Sequence, residues 1–135
     1  MARVLIVEDD QDSRDFFADA VALDRHEVAL AENADDAERL IRTGTPDVAI
    51  IDLFLPGRSG LALIERLRAH WPSVRIIAVT AGWSRLYDDI LDEAVRLGAD
   101  AKFRKPVDAG ELRATIKSVL EISGEERRQP TNGTR

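Results

Sequence analysis

The sequence predicts a doubly wound α/β sandwich in which five strands alternate with five helices. Three observations predict it. Five short apolar runs recur along the chain at fairly regular intervals. Most are continuous rather than alternating, as in strands buried on both faces of a parallel sheet. Between them lie segments whose apolar residues repeat at helical spacing, and turn and capping residues separate the two kinds of segment.

The elements follow in order. Val4–Val7 is the first strand, and Asp10 reads as the cap of a helix over Asp12–Leu23 with a stripe of Phe16, Phe17, Ala20, Val21 and Leu23. Val28–Ala31 is the second strand, followed by a helix with Ala34, Ala37, Leu40 and Ile41 on one face. Thr43-Gly44-Thr45-Pro46 stops that helix before the third strand, Val48–Ile51. Ser59 caps the third helix, whose stripe is Leu61, Leu63, Ile64 and Leu67. Ile76–Val79 is the fourth strand. The fourth helix carries Leu86, Ile90, Leu91, Ala94 and Leu97, read as core, and ends at Gly98. The weaker run Ala101–Phe103 is the fifth strand. Asp108, with Glu111 in a capping box, opens a fifth helix bearing Leu112, Ile116, Val119 and Leu120.

The 135 residues suit one domain, expected to span 1–122, with a polar, disordered tail over 123–135. The absence of cysteine excludes disulfides and thiolate zinc sites. No run approaches the roughly 20 apolar residues of a membrane span, and the start is too short for a signal peptide. A cytoplasmic location is the expectation. The net charge of −6, with acids spread along the chain, argues against direct nucleic-acid binding.

In a doubly wound sheet, ligands bind beyond the carboxyl ends of the strands. The first strand ends in Glu8, Asp9 and Asp10, the third in Asp52, the fourth in Thr80 and the fifth in Lys105. Clustered carboxylates repel and take up protons unless a cation relieves them. Mg²⁺ accepts one or two carboxylates, waters and a phosphate oxygen. Lys105 adds a compact positive charge, Thr80 a hydroxyl donor and Ala81 a backbone N–H. Small residues at Ala81 and Gly82 leave room for a tetrahedral group. A carboxylate nucleophile, a metal, a lysine and a hydroxyl together suit in-line phosphoryl transfer to an aspartate.

Taken together, Val4–Asp10, Asp52-Leu53-Phe54-Leu55-Pro56-Gly57 with Ser59-Gly60, Val79-Thr80-Ala81 and Gly98-Ala99-Asp100 before Lys105-Pro106 resemble the receiver domain of two-component response regulators. The resemblance covers about residues 2–121. It implies a flavodoxin-like sheet of order 2-1-3-4-5. It implies Asp52 as phosphoacceptor from a histidine kinase or phosphotransfer protein. It implies Mg²⁺ held by Glu8, Asp9, Asp52 and the backbone carbonyl of Phe54, with Lys105, Thr80 and the Ala81 amide on the phosphoryl group. The Lys105-Pro106 bond is expected to be cis. The output surface is expected at the fourth helix, fifth strand and fifth helix, and a homodimer is compatible with it. The expected role is a stand-alone phosphoacceptor, not an enzyme beyond self-phosphorylation and slow self-dephosphorylation. Slow loss is expected because neither Phe54 nor Gly82 can orient an attacking water.

Two departures bear on output. The family usually has an aromatic three residues before the lysine, and here Lys102 stands there with Phe103 on the opposite face. The stretch from Thr80 to Lys105 is about one helical turn longer than is common and carries Trp83 and Tyr87. Trp83 is expected to pack in the loop. The alternatives are a phosphate sink or phosphorelay intermediate, and a degenerate receiver that binds partners without phosphorylation. A flavin binder is disfavoured because acids stand where a glycine-rich phosphate loop would follow the first strand, and a phosphohydrolase because Leu53 and Phe54 supply no further acid beside Asp52.

Overall fold

A computed structural model describes residues 1–82 and 84–122. The expectations for Trp83 and for the tail 123–135 lie outside the described residues. The elements are β1 (Arg3–Val7), α1 (Gln11–Ala22), β2 (Glu27–Ala31), α2 (Ala34–Thr43), β3 (Val48–Asp52), α3 (Gly60–His70), β4 (Arg75–Thr80), α4 (Arg85–Leu97), β5 (Ala101–Arg104) and α5 (Ala109–Leu120). The sheet is parallel throughout, in the order β2-β1-β3-β4-β5. Every strand foreseen from the apolar runs is present, each within a residue or so of its expected bounds.

The sheet separates two cores. Leu5, Val7, Ala49, Ile51, Ile76 and Ala78 face α2, α3 and α4. Val4, Ile6, Val48, Ile50, Ile77 and Val79 face α1 and α5. The alternation along each strand sends successive side chains into opposite layers, which is why the central strands read as unbroken apolar runs. The edge strands differ: β2 and β5 have only one neighbour each, and Leu30 and Lys102 reach solvent.

The caps expected at Asp10, Ser59 and Asp108 are formed, and Asn33, which was not singled out from the sequence, caps α2; each accepts from the backbone N–H three residues on. The reciprocal half of the Asp108–Glu111 box is not formed: Asp108 accepts from the Glu111 amide at 2.9 Å, and Glu111 points to solvent. The apolar stripes are narrower than the sequence suggests. Phe16 is 40% exposed and Leu86 61% exposed, and Leu23 is also exposed. Each lies at the edge of its stripe, past the arc that the sheet covers. The reading of Leu86 as core is thereby corrected; Leu91 and Ala94 carry the burial of α4.

Candidate functional site

Parallel strands put all their carboxyl ends on one edge, so Glu8, Asp52, Thr80 and Lys105 are neighbours despite their separation in sequence. Backbone bonds set their heights. The Glu8 amide donates to Ala31 O at 3.0 Å, Leu53 N to Val79 O at 2.9 Å and Lys105 N to Thr80 O at 2.7 Å. The turn after Asp52 is held close by Gly60: a Cβ there would stand 2.4 Å from the Asp52 carbonyl oxygen. Only glycine lets α3 begin against that backbone.

Carboxylate oxygens of Glu8, Asp9 and Asp52 lie within 4.8 Å of one another. Lys105 Nζ lies 2.7 Å from Glu8 Oε1 and 3.3 Å from Asp52 Oδ2. The Phe54 amide donates to Asp52 Oδ1 at 2.9 Å, and the Asp10 amide donates to Glu8 Oε2 at 3.1 Å. Glu8 and Asp52 are buried, whereas Asp9 faces solvent. Burial pushes the Glu8 carboxyl up to about 7, and the Asp52 charge beside it adds to the effect; Lys105 and the Asp10 amide oppose it. Burial disfavours the charge on Lys105 too, but the bond to Glu8 and the charge of Asp52 outweigh it and hold its pKa above the usual value. One lysine against three acids leaves the cluster short of positive charge. Hard oxygen donors this close, one of them open to solvent, fit Mg²⁺.

Thr80 is fully buried at the end of β4, its hydroxyl donating to Ala81 O at 3.2 Å. It is beside the acids in the sheet but not bonded to them. Asp10 caps α1 rather than joining the cluster, and the Ser13 bond holds its carboxyl below the usual range. The Lys105–Pro106 peptide is cis.

Two residues that the sequence reading left out join the site from the first turn of α1. Ser13 Oγ lies 3.3 Å from Lys105 Nζ, and Arg14 Nη1 donates to the Glu8 carbonyl at 2.9 Å. The signal was available: α1 starts directly after β1, so its first turn must face the strand's end.

The sequence model of the response regulator receiver domain matches residues 4–117. This chain belongs to that family. The receiver is 34% identical over 122 residues to the transcriptional regulatory protein KdpE of Staphylococcus aureus, covering 90% of this chain and 51% of the relative. It is 38% identical over 119 residues to a cyclic di-GMP phosphodiesterase of Thermotoga maritima, covering 87% and 30%. The chain thus spans about half or less of the length of these relatives. The crystal structure of the receiver domain of NtrX from Brucella abortus superposes with a TM-score of 0.83 at 29% identity, covering 89% of this chain and 99% of that one.

Within this receiver the departures take a definite form. Lys102 and Arg104 point from β5 towards α4, opposite to Phe103, which packs in the α1–α5 layer. Lys102 Nζ pairs with Asp92 at 3.0 Å. Arg104 pairs with Asp88 and donates to the Gly82 carbonyl. Asp88 and Asp92, one turn apart on α4, match alternate residues of β5, so the seam where an aromatic is usual is charged instead.

Proposed function

We propose that this receiver accepts a phosphoryl group on Asp52 from a phosphohistidine on a kinase or phosphotransfer protein. One observation carries the reading: a single lysine ammonium touches both Glu8 and Asp52 inside a carboxylate cluster, at 2.7 and 3.3 Å. An Asp52 oxygen attacks phosphorus, the P–O bond forms and the P–N bond breaks. The imidazole nitrogen keeps the electron pair. Lys105 moves from Asp52 to the incoming phosphoryl oxygens, and Thr80 with the Ala81 amide supplies further donors to them. Glu8, Asp9, Asp52 and the Phe54 carbonyl would hold Mg²⁺, which when bound neutralises carboxylate and phosphoryl charge together.

The acceptor acts as a switch rather than as a catalyst with turnover. Acyl phosphate favours one of two arrangements of the β4–α4 loop, and the face formed by α4, β5 and α5 presents the result to a protein partner. The receiver unit runs over 1–122. Among the described residues no helix is long and apolar enough to cross a membrane. A second reading is a phosphate sink or relay intermediate. The charged seam between α4 and β5 favours it, because the aromatic that usually moves with the threonine is replaced by paired ions.

Incubation with acetyl phosphate and Mg²⁺, followed by intact-mass measurement, tests the first reading. One phosphoryl adduct is expected on the wild type and none on Asp52→Asn. An adduct that survives Asp52→Asn, or none on either protein, would sink it.

A further inference from the structure

We propose that Tyr87 is a positioning residue whose ring closes the α4 side of the Asp52 site to water and lengthens the life of the acyl phosphate. This rests on Asp52 being the acceptor.

Two loops flank Asp52: the β3–α3 loop carrying Phe54 and the β4–α4 loop carrying Gly82. Tyr87, in the first turn of α4, touches both. Its ring meets Phe54 edge to face, centroids 5.3 Å apart and planes at 63°. It also lies flat against Gly82, where an added Cβ would stand 2.5 Å from Tyr87 Cδ2. Glycine at 82, with φ +117°, therefore leaves a gap that the tyrosine from the helix fills. The turn that carries Tyr87 is tied down on its other side. Asp88 pairs with Arg104, and the same guanidinium holds the Gly82 carbonyl. Helix, loop and strand thus hold the ring in place.

Hydrolysis of an aspartyl phosphate needs a water oxygen to attack phosphorus in line with the breaking bond to the Asp52 oxygen. The electron pair returns to the carboxylate and the water's proton leaves with phosphate or solvent. The Phe54–Tyr87 pair, packed against the two loops that flank Asp52, presents apolar surface on the α4 side and offers no base to take the proton. Asp52 itself is only 7% exposed. Excluding water protects a reactive intermediate without altering the donors that form it. Loading should therefore persist while decay changes.

The full chain is loaded with acetyl phosphate and Mg²⁺, desalted, and followed by intact mass. Tyr87→Ala should lose its phosphoryl group about fivefold faster or more, a modest barrier change for opening one wall. Tyr87→Phe should match the wild type, since the ring and not the hydroxyl closes the site. Thermal melting of each variant checks folding, and Tyr87→Leu, whose decay should also exceed the wild type's, carries the test if Tyr87→Ala does not fold. Decay of a folded Tyr87→Ala at or below the wild-type rate overturns the closure, as does Tyr87→Phe decaying as fast as Tyr87→Ala. No adduct on the wild type overturns the Asp52 reading itself and the closure with it.

Discussion

Among the described residues of this receiver two glutamates are buried, and their surroundings are opposites. Glu8 is 1% exposed and Glu38 4%. Glu38 accepts from Arg66 Nε and Nη2 at 2.8 and 3.0 Å, from Arg58 Nη1 at 2.8 Å and from Arg42 Nη2 at 3.4 Å. The Arg66 bonds lead in holding its carboxyl below the usual range, against the opposing effect of burial. Glu8 has one lysine, shared with Asp52, and burial pushes it up to about 7. The same side chain at similar depth is over-supplied with cations in one place and under-supplied in the other. Glu38 is a finished structural tie: through Arg58 it fastens the β3–α3 loop to α2, and through Arg66 it joins α2 to α3. Glu8 sits where charge has been left unbalanced, which suits the metal and phosphoryl group proposed for this site.

The largest expected effect separates the two by sign. Glu38→Ala should cost about 2 kcal/mol in urea unfolding, the scale of hydrogen bonds to a charged group, discounted because the arginine heads it releases are partly solvated. Glu8→Gln in metal-free buffer should cost nothing or stabilise, because it removes one of three crowded carboxylates. Equal losses in the two variants would break the comparison. Added Mg²⁺ sharpens it. At ten times its dissociation constant the ion should stabilise the wild type by about 1.4 kcal/mol. Glu38→Ala should keep that increment, and Asp9→Asn should lose most of it. An Asp9→Asn protein stabilised as much as the wild type would remove Asp9 from the metal set.

These two glutamates also show what was legible in the sequence. Glu8 was visible because it ends an apolar run, and strand-end residues in a parallel sheet meet at one edge whatever their spacing. Asp52, Thr80 and Lys105 were visible for the same reason. Glu38 ends no strand and caps no helix; only Arg42 is a local i,i+4 partner, while Arg58 and Arg66 lie 20 and 28 residues away on a loop and α3, so no local pattern announces the tie. Tyr87 was noted only as part of a long segment. That its ring lies on Gly82 depends on where α4 starts relative to β4, a packing result with no periodic signature. Phe16 and Leu86 were over-read because helical spacing gives the direction of a stripe but not how wide an arc the sheet covers.

The smallest effect is a pH dependence of the Glu38 tie, measured against Glu38→Gln, which keeps the shape and cannot ionise. A carboxyl whose folded pKa is depressed binds fewer protons in the native state than in the unfolded chain. Its contribution is therefore fully present above the ordinary carboxyl value of 4.5 and is lost as pH falls through the lower folded value. The stability gap between wild type and Glu38→Gln should be about 1 kcal/mol near neutrality, small because the arginines are part-exposed and screened. It should hold level down to about pH 5 and shrink below that. It should also narrow in high salt, since the arginine heads reach solvent. A gap unchanged to about pH 3 would mean that the arginines hold Glu38 by shape rather than by charge, and the contrast with Glu8 would then rest on packing alone.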